Sequence, residues 1–168
     1  ANIVADYNIS NTCQASYVTP FLDVNLVLSR SGNTYYYLHD GLGSVSKVID
    51  SSEVVKNSYD YVPQGGTLTV SEQFGNRYRF TGREWDNNEG EYYSRARYYK
   101  PGWSRFTQRD PIGYKSGINI YAYCGNNPVN WIDPWGFESL RPPQSRYYFG
   151  RPGSWIEPGR AVGSYLED

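Results

Sequence analysis

The 168-residue sequence contains no Met, a single His and only two Cys. With Ala at position 1, the missing Met points to initiator removal, leader cleavage or excision from a longer chain. A lone His39 excludes a His-based catalytic triad, and neither His39 nor the Cys residues stand in a metal-ligand spacing, so no metal or cofactor is expected. Cys13 and Cys124 lie far apart in sequence and leave two readings open: one long-range disulfide, or two thiols. No sign of charge dominates, with 16 Lys+Arg against 17 Asp+Glu and a formal net charge of −1. That balance argues against a broad nucleic-acid footprint or a polybasic membrane anchor. Apolar runs extend only a few residues, too short for a membrane-spanning helix, and no signal-peptide pattern is present.

Aromatic residues and turn formers are abundant instead: 18 Tyr, 17 Gly and 10 Pro. Long amphipathic helices rarely carry so much of all three, whereas short strands joined by tight turns do. Thr34-Tyr35-Tyr36-Tyr37-Leu38 reads as a strand, Asp40-Gly41-Leu42-Gly43 as a turn, and Ser44 to Ile49 as a second strand. Val54-Val55 to Tyr61 and the turn Pro63-Gln64-Gly65-Gly66 repeat the pattern. Asp40-x-x-Gly43 aligns with Val62-x-x-Gly65 at an offset of 22 residues, with Tyr37 and Tyr59 ahead of them. Further units follow around Asn76 to Gly90 and Tyr92 to Tyr99. Such a period implies units that bury their faces by stacking on neighbours. The expected fold is all-β: a Tyr-rich curved repeat sheet with an irregular, turn-rich C-terminal cap from about Pro101.

These residues also carry a resemblance. Tyr35 to Val45 resembles the opening of the RHS-repeat-associated core domain. Phe80-Thr81-Gly82-Arg83-Glu84-Trp85-Asp86 and Tyr92-Tyr93-Ser94-Arg95-Ala96-Arg97-Tyr98-Tyr99 are similar to its centre. Arg105-Phe106, Arg109-Asp110-Pro111-Ile112-Gly113, Asn126-Asn127-Pro128 and Asp133-Pro134-Trp135-Gly136 are similar to its end. The division this suggests is a lead-in segment 1–33, a core 34–137 and a Pro/aromatic-rich tail 138–168. RHS/YD-repeat proteins wind strands into a hollow shell, and the resemblance implies a closing segment that cleaves itself and releases a C-terminal toxin inside.

The same resemblance implies an aspartyl-protease-like pair, Asp110 and Asp133, each heading an Asp-Pro-x-Gly tetrapeptide, with Arg109 orienting the pair. The bond cut would be Phe137–Glu138. Two carboxylates held close share a proton, so one can protonate while the other activates water. The plain alternative is that Asp-Pro-x-Gly is simply what a type I turn prefers. Arg95, Arg97, Arg105 and Arg109 interleaved with Tyr98 and Tyr99 suit cross-strand contacts better than base stacking. In the tail, Trp155, Ile156, Tyr165 and Leu166 are expected to anchor onto a protein partner or a second copy. Two functions therefore compete. One is a detached core serving as a structural or binding subunit of an exported or cell-surface assembly. The other is the self-cleaving segment that closes a toxin shell.

Overall fold

A computed structural model describes residues 5–141. Seven strands, β1 (Ala5–Tyr7), β2 (Cys13–Val18), β3 (Val27–Arg30), β4 (Asn33–His39), β5 (Val45–Asp50), β6 (Val55–Tyr61) and β7 (Thr67–Glu72), form one antiparallel meander in chain order. A second antiparallel sheet runs β11 (Arg105–Phe106), β10 (Arg97–Lys100), β9 (Glu91–Ser94) and β8 (Glu84–Asp86). The described residues are all-β, apart from single 3₁₀ turns such as 80–82, and neither sheet closes on itself. Among them no helix is long and apolar enough to cross a membrane.

The 22-residue offset lands on equivalent backbone. Tyr37 pairs with Val48 across β4–β5, and Tyr59 with Val70 across β6–β7. Each hairpin shifts register just before its turn, at Leu38/His39 and Asp60/Tyr61. Each turn closes alike, with Gly43 N–H donating to the Asp40 carbonyl at 3.1 Å and Gly65 N–H to that of Val62 at 2.8 Å. Alternation then places one apolar face inward. Ala15, Tyr17, Leu28, Tyr37, Val48 and Tyr59 make the first core with Tyr78. Buried hydroxyls find acceptors, as when Tyr37 Oη donates to Asn76 Oδ1 at 2.8 Å.

Phe80, Tyr92, Tyr99, Phe106, Tyr123 and Cys124 form a second core, and Tyr61 packs against both. The run Tyr92 to Tyr99 is a hairpin, not one strand, because Arg95 adopts φ +57° between β9 and β10. Among the described residues from Pro101 onward, β11 is the one strand and the rest is turns and single 3₁₀ turns, as the turn-rich composition predicted. The strands before residue 34 join the same sheet: β3 pairs with β4 directly. Cys13 is exposed at the start of β2, while Cys124 is buried in the second core, and both are free thiols. The structure therefore joins neither cysteine to the other. Burial pushes the Cys124 thiol up to about 12. Trp155, Ile156, Tyr165 and Leu166 lie outside the described residues.

Candidate functional site

Asp and Asn side chains fold this chain's turns. Asp40 Oδ1 accepts the N–H groups of Leu42 and Ser44, and Asp50 Oδ1 accepts those of Ser52 and Val54. Asp110 does the same at its own turn, taking Ile112 N–H at 2.9 Å. Asp133 Oδ1 takes three: Gly136 at 2.8 Å, Phe137 at 3.2 Å and Glu138 at 3.2 Å. This is the local turn chemistry that Asp-Pro-x-Gly encodes.

What separates Asp110 and Asp133 from the hairpin aspartates is the second oxygen. At Asp40 the side chain is exposed, and at Asp50 the other oxygen meets Lys56 near the surface. At Asp110 and Asp133 it points inward, onto one cation. Arg97 Nη2 stands 3.2 Å from Asp110 Oδ2 and 3.5 Å from Asp133 Oδ2. The three side chains are 2%, 2% and 3% exposed, so the two carboxylates stand within two hydrogen-bond lengths of each other, away from bulk water. Ser116 Oγ donates to Asp110 Oδ2 at 2.7 Å.

Arg97 belongs to β10, where alternation turns it to the same inward face as Tyr99. Its guanidinium lies over the Phe106 ring at 3.7 Å and donates through Nε to the Gly136 carbonyl and through Nη1 to the Ile120 carbonyl at 3.0 Å. One side chain therefore ties both Asp turns to the second core. Burial lowers the Arg97 pKa against the pull of the two aspartates, while burial raises Asp133 above its ordinary value despite its N–H donors and Arg97.

The residue expected to orient the pair, Arg109, is exposed, and Arg97 occupies the place between the carboxylates. The missed signal was periodicity: an Arg two positions before a buried Tyr in a strand must face inward and needs a buried counter-charge.

The Phe137–Glu138 bond sits in a loop bracketed by the Ile132–Leu140 bridge, whose reciprocal backbone hydrogen bonds are 2.8 and 2.7 Å. Phe137 is half-buried and Glu138 exposed. Gly136, at φ +76°, lets this loop press against the β9–β10 turn, since a Cβ there would meet the Ser94 carbonyl at 2.3 Å. Among the described residues no cluster of His, Cys, Asp and Glu could hold a metal.

No family model matches the chain. A tRNA3(Ser)-specific nuclease WapA from Bacillus spizizenii is 32% identical over 142 residues, covering 80% of this chain and 6% of that protein. Double-stranded DNA deaminase toxin A from Burkholderia cenocepacia is 31% identical over 112 residues, 64% of this chain and 8% of that protein. The crystal structure of TcdB2-TccC3 without its hypervariable C-terminal region superposes with a TM-score of 0.65 at 28% identity, covering 73% of this chain and 6% of that one. The chain thus spans less than a tenth of the length of each of these similar proteins.

Proposed function

We propose that this chain is an RHS-type core that closes a larger exported toxin shell and cleaves its own backbone between Phe137 and Glu138. The observation that carries this reading is the convergence of Asp110 and Asp133 on the buried Arg97, with the Glu138 amide on Asp133. In ordinary turns the carboxylate ends in solvent; here both inner oxygens are withdrawn onto one cation, which local turn formation does not require.

The chemistry balances as amide hydrolysis. In this reading Asp110 takes a proton from a water attacking the Phe137 carbonyl carbon. The proton passes by way of Asp133, whose Oδ1 accepts the Glu138 N–H at 3.2 Å, to that nitrogen as the C–N bond breaks. The products are a carboxylate at Phe137 and a free amine at Glu138. Arg97 limits the charge the pair accumulates. The likeness to far longer proteins, one of them named a deaminase toxin, supports the toxin context. So does edge strand β7, whose six residues are all exposed and include Leu68 and Val70, offering backbone groups for a further strand.

That same edge supports a second reading, a detached subunit that docks onto another protein and needs no cleavage. Mass spectrometry of the full chain, held across the acid-to-neutral range, separates the two. The expected result is a fragment ending at Phe137, abolished by Asp110→Asn and by Asp133→Asn. Wild-type chain that stays whole throughout overturns the protease reading.

A further inference from the structure

The turn between β2 and β3 reaches across to the second Asp-Pro loop. Val24 N–H donates to the Phe21 carbonyl at 3.2 Å, and Asp23 adopts φ +60° within that turn. The turn is seated on residues 80–82. Gly82, at φ +68°, would bring a Cβ to 2.2 Å from the Asp23 carbonyl oxygen, and the buried Asn25 donates to the Gly82 carbonyl at 3.2 Å. So seated, the Asp23 carboxylate, 10% exposed, accepts from Arg83 Nη2 and from Arg95 Nη2, the latter at 2.8 Å.

Both guanidiniums then share a second acceptor. Arg83 Nη1 donates to the Pro134 carbonyl at 2.7 Å, and Arg95 Nη1 donates to the same oxygen. Arg95 also lies over the Trp135 ring at 5.0 Å, and Ala96 N–H donates to the Trp135 carbonyl at 3.2 Å. Two cations converging on one neutral carbonyl repel each other, and Asp23 is the carboxylate that offsets both. Glu84 also acts on Arg83 electrostatically, yet it pairs with Arg77 at 3.2 Å.

We propose that Asp23 is a positioning residue for the second Asp-Pro loop, holding Arg83 and Arg95 on the Pro134 carbonyl so that Asp133 stays seated beneath the Gly136 and Glu138 amides. Its role in cleavage rests on the function proposed above; the seating itself does not. The lead-in strands are then part of the site, not a spacer before it.

Amide hydrogen exchange in the full chain tests this, in an Asp110→Asn background so that the backbone stays whole. Asp23→Asn is expected to speed exchange of the Gly136 and Glu138 amides at least tenfold, while the Gly43 and Ser44 amides of the β4–β5 turn are unchanged. Should that variant fail to fold, Arg83→Lys is read the same way, since one ammonium keeps the charge but lacks the fork that spans Asp23 and Pro134. Unchanged exchange at Gly136 and Glu138, or equal acceleration over the whole chain, overturns the proposal. With Asp110 present, Asp23→Asn should also slow appearance of the Phe137 fragment about a hundredfold, the penalty of a reacting group misplaced by about an ångström. A wild type that never cleaves sinks the protease reading alone, and the exchange result still decides the role of Asp23.

Discussion

Replacing Arg97 by Met removes the one cation between Asp110 and Asp133 and keeps an unbranched apolar chain over the Phe106 ring. Both carboxylates remain 2–3% exposed, so neither recovers its hydration without opening the second core. Removing one partner of a buried ion pair costs about 3–5 kcal/mol. The Ile120 carbonyl keeps the Asp110 N–H at 2.9 Å, but the Gly136 carbonyl loses its Arg97 donor. We therefore expect a loss of about 4 kcal/mol at neutral pH, lowering the midpoint of thermal unfolding by roughly 10–15 °C. The sign of its pH dependence follows from linkage. Without Arg97 the pKa of Asp133, already raised by burial, rises further, so the folded chain binds more protons than the unfolded one as pH falls through that range. Stability of the variant relative to wild type then rises as pH falls through that window. Circular-dichroism melts at neutral pH and in mild acid should show the deficit shrinking by more than half in acid. Adding Asp110→Asn and Asp133→Asn to Arg97→Met should recover much of the neutral-pH loss. An equal deficit at both pH values, or a neutral-pH loss under about 1 kcal/mol, refutes the buried-cation argument.

Three further outcomes follow from the packing elsewhere. A maleimide should label one thiol per native chain, at Cys13, and a second, Cys124, only in denaturant; a reducible crosslink between them would restore the disulfide reading. Gly65→Ala forces a Cβ to 2.4 Å from the Phe80 ring at φ +80°, and should cost more than about 2 kcal/mol in urea unfolding. Gly41→Ala, with open space around it, should change stability by less than about 0.5 kcal/mol.

The all-β class, the turns and the hairpin period are readable in the chain because each depends on contacts between near neighbours. Tyr alternation marks inward positions, and Asp or Gly at fixed offsets closes turns whatever lies beyond them. Asp110 and Asp133 stand out for that same local reason, as heads of two Asp-Pro-x-Gly turns. Local chemistry could not say where their second oxygens point. That depends on β10 delivering Arg97 between two turns that follow it in the chain, while the adjacent Arg109 faces solvent. Nor could it place Asp23 against Pro134, since no periodicity links a β2–β3 turn to a loop at the far end of the core. A charge in a strand announces that it needs a partner. Only the packed structure decides which carboxylate it meets, because the cost of burying it is set by whatever surrounds it and not by its neighbours in the chain.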